Sequence, residues 1–295
     1  MRITRRGLLG VAAITLTGCT GSPTIQPPFV VPPPSPEQEP WAVAATATVT
    51  GLRGLFAIAA PSKWSDGALA LLDDHLLRLT ALDPFADEPE PHFDTPVVEG
   101  PDAALDDEAL DAAVEQAREE LSEQVATAPG QPERLLVASA SCAVASLAVH
   151  KRPPKPGGAP RRFADATLEG SLTVALSHIW ALIQGVELGL GRLPRDHKLR
   201  EYADARLPQI REARNRLRDL IDGEPPLQPA SLTMPNAMSD ASEIKAGWAA
   251  LELGVLDGYA RLTAVDATWL TEMQAQVPRV QSLGGRLPHW PGWAG

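Results

Sequence analysis

The stretch SDASEIKAGWAALELGVLDGYARL, residues 239–262, decides the fold. Asp240 is a side-chain acceptor placed to cap a helix, and Glu243 follows three residues later, the spacing of a capping box. Ile244, Trp248, Leu251, Val255, Tyr259 and Leu262 then recur every three or four residues, which lines them along one stripe of an α-helix. A helix with one apolar stripe must bury it, so the neighbouring sequence has to supply partners.

It supplies three. Residues 165–190 carry the stripe Leu168, Leu172, Leu176, Ile179, Ile183, Val186 and Leu190. Residues 196–221 carry Leu199, Ala203, Ile210, Leu217 and Ile221, with a kink expected at Pro208. Residues 265–283 carry Leu270, Met273, Val277 and Val280, with a disturbance expected at Pro278 and a stop at Gly284-Gly285. Four striped helices joined mostly by short connections read as a four-helix bundle. Trp290 and Trp293 behind them read as an aromatic tail that folds back over one end.

Charged residues near the stripes read as structural. At 100° per residue, Glu252 lies about 60° from its stripe, close enough to face a neighbour, and Arg206 and Arg214 lie about 40° to either side of theirs. Two guanidiniums suit a carboxylate partner and disfavour a dication, so Glu252 reads as a structural ion-pair residue with Arg206 and Arg214 as its candidate partners. His178, about 100° off its stripe, reads as a boundary histidine. Cys142, in the apolar run LLVASASCAVASLAV, reads as a small core residue with no base beside it.

The run LSHIWALIQGVELGLGRLP (176–194), the capped helix at 239–262 and the tail HWPGW (289–293) resemble the ferritin-like domain of unknown function found in lipoproteins and alanine-rich proteins of high-GC Gram-positive bacteria. The resemblance covers about residues 163–295. It implies a ferritin-like four-helix bundle and brings no established activity. Where family members often carry a Glu-His pair in the first helix, this chain has Ser177-His178.

A di-iron bundle needs Glu-x-x-His on two helices and a further Glu on each of the others, because the carboxylates offset the metal charge. Three residues before the six histidines stand Leu72, Pro89, Leu147, Ala175, Pro194 and Arg286, none of them glutamate. No cofactor is therefore expected; iron or manganese enters only through an alternative in which His178 and Glu252 serve as unconventional ligands of an oxidoreductase or storage protein. Phosphate-loop, HExxH, CxxC and G-x-S-x-G patterns are absent from the sequence.

The first half also reads as helical. Residues 41–60 place Ala45, Val49, Leu52, Phe56 and Ala59 at helical spacing, and the next segment does the same with Leu69, Leu72, Leu76, Leu79 and Leu82. Residues 83–108 are dense in acid and proline and read as a mobile loop, in which His92 has no preorganised metal cage. Asp106, Asp107 and Glu108 suit a helix start, and Leu110, Val114, Ala117, Leu121 and Val125 follow as its stripe. Residues 135–149 are apolar all round and should form the most buried helix of this half, a helical region spanning 41–152. The basic segment KRPPKPGGAPRR then makes 153–162 a linker to the domain at 163–295. No strand pattern occurs, so the fold class is all-α.

At the N-terminus, Arg2, Arg5 and Arg6 precede twelve uncharged residues (7–18), enough for an export signal and short of the ~20 that span a bilayer. Thr4-Arg5-Arg6-Gly7-Leu8-Leu9 resembles a twin-arginine signal. Leu16-Thr17-Gly18-Cys19 matches a bacterial lipobox, so residues 1–18 are expected to be removed and Cys19 lipidated. Residues 19–40 are proline-rich and read as a polyproline tether. These features place the expected protein on the outer face of the cytoplasmic membrane, held through Cys19 and facing an envelope partner.

Removal of 1–18 leaves 23 basic against 37 acidic residues, a net charge of −14, which excludes nucleic acid as a partner. With one cysteine lipidated and one buried, no intramolecular disulfide is expected. The expected role is non-catalytic binding or scaffolding, with a small-ligand carrier using a cavity between the helical halves as a further possibility.

Overall fold

In the computed structural model, residues 39–59, 63–95, 97, 106–148, 152–162 and 166–293 are described. The leader, the lipobox with Cys19, the pair Arg5-Arg6 and nearly all of the tether lie outside them. Among the described residues all regular secondary structure is helical, with nine α-helices, one 3₁₀ turn at Ala267–Trp269 and no strand. The helices are α1 (Pro40–Ile58), α2 (Lys63–Leu79), α3 (Asp107–Thr127), α4 (Gln131–Ala148), α5 (Leu168–Arg192), α6 (Leu199–Asp219), α7 (Ala241–Val265), α8 (Leu270–Gln274) and α9 (Gln276–Ser282). Pro40, assigned above to the tether, is the first residue of α1, where its missing N–H costs nothing.

Local chemistry explains most boundaries. Asp106 caps α3 through Ala109 N–H, and Asp240 caps α7 through the N–H groups of Ser242 and Glu243. Glu243 reaches back one residue further than in a capping box, to the N–H and hydroxyl of Ser239. Pro208 sits inside α6 without ending it. Pro278 acts earlier than its own position: it has no N–H for the carbonyl of Gln274 and its ring crowds that carbonyl, so the helix breaks at Ala275. The expected single helix over 265–283 is therefore a 3₁₀ turn followed by α8 and α9.

Gln38–Gly295 form one compact unit with one core. α4, buried at every position from Leu135 to Val144, packs on α3, α7, α8 and α9. α1 packs on α2 and α3, and α5 packs on α6 and α7. The segment 153–162, read above as a linker to the domain at 163–295, runs as a strap along this body. Lys155 N–H donates to Leu287 O and His289 N–H donates to Lys155 O, while Arg286 donates to the carbonyls of Pro153 and Pro154.

The C-terminal tail closes the fold against α2. Trp290 is buried, its indole N–H donates to Asp74, and its ring lies 4.4 Å from that of His75. His289 Nδ1 pairs with Asp74 at 3.0 Å, and the fully buried His75 donates from Nε2 to the carbonyl of His289 at 2.9 Å. Burial pulls the His75 pKa down to about 4, so its neutral form is the folded one and its contribution to stability is lost as pH falls from about 6.5 toward 4. Trp293 packs on Phe85.

That contact corrects the reading of 83–108 as mobile throughout. Its first part is held, with Arg78 donating to the carbonyls of Pro84 and Ala86 and with a bridge between Ala81 and Pro91. Leu82, expected on the α2 stripe, is exposed because the helix has already ended at Leu79; Leu71 and His75 take the buried positions.

α5 and α7 pack closely, and glycine makes it possible. A Cβ on Gly258 would stand 2.9 Å from the backbone Cα of Ala175, and one on Gly189 2.6 Å from the Trp248 ring. α1 and α5 are long and apolar enough to cross a membrane; here their apolar stripes lie in the core. Gly258→Ala should therefore lower the urea-unfolding free energy by about 1–3 kcal/mol, because the obstacle is backbone. Gly191→Ala, where nothing lies within 4 Å, should be neutral or stabilising by up to about 1 kcal/mol.

Candidate functional site

The buried face of α6 contains Ala203, Arg206, Ile210 and Leu217, so an arginine occupies a core position between two apolar ones. Opposite it on α7, Glu252 has no exposed surface. The two meet as a fork: Arg206 Nε donates to Glu252 Oε1 at 2.8 Å and Nη2 donates to Oε2 at 3.0 Å. Tyr202, one turn earlier on α6, donates its hydroxyl to the same Oε1 at 2.5 Å and stacks on Trp248. Gln276 of α9 accepts from Arg206 Nη2 at 3.2 Å.

The electrostatics follow from burial. Burial works against the Arg206 charge, but the bonds and charge of Glu252 outweigh it and raise the guanidinium pKa above its ordinary value. Burial and the Glu252 charge push the Tyr202 phenol up, so it stays a donor. Both carboxylate oxygens are thereby occupied by protein groups.

Above this pair lies a cleft of about 370 Å³. α6 packs closely on α5, and the space between α6, α7 and the α8–α9 pair stays open. Its floor includes Ile179, Ile210 and Val255, and its polar groups include Arg206, Tyr259, Gln276 and Arg279. Arg216 crosses one end, pairing with Glu272 at 3.2 Å with its guanidinium over the Trp269 ring.

Of the residues singled out in the sequence, the structure brings Arg206 and Glu252 together. Arg214 does not join them: its guanidinium donates to its neighbour Asn215. His178 is half-buried on α5 against Gly254 and Gly258 of α7. Those positions lie about 200° and 240° around α7 from Glu252, so the two candidate ligands of the metal alternative sit on opposite sides of that helix. Among the described residues no group of three or more His, Cys, Asp or Glu side chains is placed to hold a metal ion. His92 is exposed, and burial pushes the Cys142 thiol up, out of reach of nucleophilic chemistry.

Sequence reasoning missed two constellations. The Asp74–His75–His289–Trp290 lock was half legible, since His75 falls on the α2 stripe with Leu72 and Leu79, but its partners lie more than 200 residues away. Asp257 gave no signal. It is half-buried on α7, accepts from Gly292 N–H at 3.0 Å, and borders a second cleft of about 460 Å³ with Arg161, Leu253, Pro288 and Trp293. Burial raises its carboxyl to about 7, offset only in part by the Gly292 bond.

No protein-family profile, no curated protein and no solved structure matches the chain.

Two stability measurements check this geometry. Glu252→Gln leaves Arg206 buried without its counter-ion and should cost about 3–5 kcal/mol, whereas the double change Arg206→Met with Glu252→Leu should recover most of that loss. For Asp257, the folded state keeps a proton that the unfolded chain releases near pH 4, so stability falls as pH rises from about 4 to 7. Asp257→Asn keeps the acceptor and removes the titration; its melting temperature should exceed that of the parent by a margin that widens between about pH 5 and pH 8.

Proposed function

We propose that this chain is a lipid-anchored protein of the outer face of the cytoplasmic membrane, whose ferritin-like helical body binds a ligand without catalysing a reaction. The leader with Arg5 and Arg6, the lipobox at Cys19 and the proline-rich stretch behind it support the anchoring. Two or three acyl chains hold a protein at a bilayer without any spanning segment, since each buried methylene adds roughly 0.8 kcal/mol. A polyproline tether lifts the body clear of the headgroups, where its net negative charge keeps it from adsorbing to anionic lipid.

One observation carries the binding role: the carboxylate of Glu252 is saturated by Arg206 and Tyr202 beneath an open cleft. A metal enzyme on this architecture needs that carboxylate free, with others beside it. Here the cleft presents the guanidiniums of Arg206 and Arg279 as hydrogen-bond donors, a disposition suited to holding a ligand.

Two measurements test the proposal. Cys19→Ala should move the protein from the membrane to the soluble fraction; retention at the membrane would overturn the anchor. Elemental analysis of the exported protein should find far less than one iron or manganese per chain, and a content near two, the load of a dinuclear centre, would establish the metal-dependent alternative instead.

A further inference from the structure

Three guanidiniums reach the cleft above the Arg206–Glu252 pair, and they are not equally satisfied. Arg216 has Glu272. Arg206 gives Nε and Nη2 to Glu252 and Gln276, and its Nη1 has only a long contact of 3.4 Å to Gln209. Arg279, half-buried on α9, has no carboxylate within ion-pair distance among the described residues. Burial, and then the nearby charge of Arg206, pull its pKa below the ordinary arginine value, and the charge of Glu252, already bonded to Arg206, offsets this only in part. Glu212, on the α6 lip, is exposed and screened by water.

We infer that the cleft binds a small organic carboxylate, its carboxylate held by Arg279 and the free Nη1 edge of Arg206, its hydrocarbon body on Ile179, Ile210 and Val255. This rests on the reading of the helical body as a ligand-binding module. A guanidinium presents paired N–H donors that match the two oxygens of a carboxylate, and in a partly desolvated cleft such a bond is stronger than in water. The cleft volume, about 370 Å³, falls at the lower end of small-molecule sites and suits a ligand of the size of benzoate or a short fatty acid. An amine would meet the Arg279 guanidinium, and the carboxylates on the lining are Glu272, already paired with Arg216, and the exposed Glu212. Inorganic phosphate, with two charges, exceeds the single cation left over and makes no use of the apolar floor.

The test uses the whole chain carrying Cys19→Ala and isothermal titration with four probes: benzoate, octanoate, octylamine and inorganic phosphate. Benzoate or octanoate should bind at one site, and Arg279→Gln should weaken that binding roughly tenfold or more, with Arg279→Lys restoring part of it. Ala213→Leu, which fills the cleft from α6 without touching a charge, should weaken it as well, and melting temperatures of all variants should stay close to that of the parent. Carboxylate binding that survives both Arg279→Gln and Ala213→Leu would overturn the location. Binding of octylamine or phosphate in place of the carboxylates would overturn the ligand class and leave the binding reading standing. Silence of all four probes up to about 10 mM would overturn both.

Discussion

A carboxylate with no exposed surface stands midway along α7, and the arrangement of the second half of the molecule follows from the need to compensate it. Burying an unpaired ion costs several kcal/mol, so Glu252 requires a cation at hydrogen-bond distance with matching geometry. Only α6 supplies one. The fork between Arg206 and Glu252 sets the rotation of α6 about its axis and its height along α7, and with these the positions of Tyr202 over Trp248 and of Gln276 beneath the guanidinium. Such a pair contributes more to register than to net stability, because its desolvation offsets most of its attraction.

This manner of holding α6 explains why the body is open where it is. Helices that interdigitate apolar side chains close the space between them. α6 is strongly polar, packs closely on α5, and reaches α8 and α9 through long side chains, Arg206 to Gln276 and Arg216 to Glu272. A cleft with an apolar floor and a guanidinium rim remains between those struts, the kind of place between helices where small ligands bind.

The two halves of the described chain are joined by different chemistry. α4 enters the same core as α7, α8 and α9, and the 153–162 strap and the C-terminal tail bond to each other across it. The tail is then fixed on α2 through His289, Trp290 and Asp74. The buried His75 and the half-buried Asp257 give this region opposite responses to pH. His75 favours the folded state when neutral, and Asp257 favours it when protonated.

Helix identity was written locally: the stripes of α3 and α7, and that of α5 from Leu172 to Val186, fall on the buried faces, because a 3.6-residue period can be read from a dozen neighbouring residues, whereas Leu168 at the start of α5 is exposed. Ends were less legible, since Pro278 exerts its effect four residues upstream and Leu82 kept the period of α2 after that helix had stopped. Residue spacing brought Glu252 and Arg206 to the right faces, yet gave Arg214 an equal claim, because angular position says nothing of distance across a cleft. Sequence by itself determined the all-helical class, the buried stripes, and the capping of α3 and α7. Tertiary structure alone decided which arginine meets Glu252, that α4 and the tail complete a single core, and that Arg279 faces an open cleft with no carboxylate at ion-pair distance among the described residues. These depend on contacts between residues tens to hundreds of positions apart, for which a linear chain carries no periodic signal.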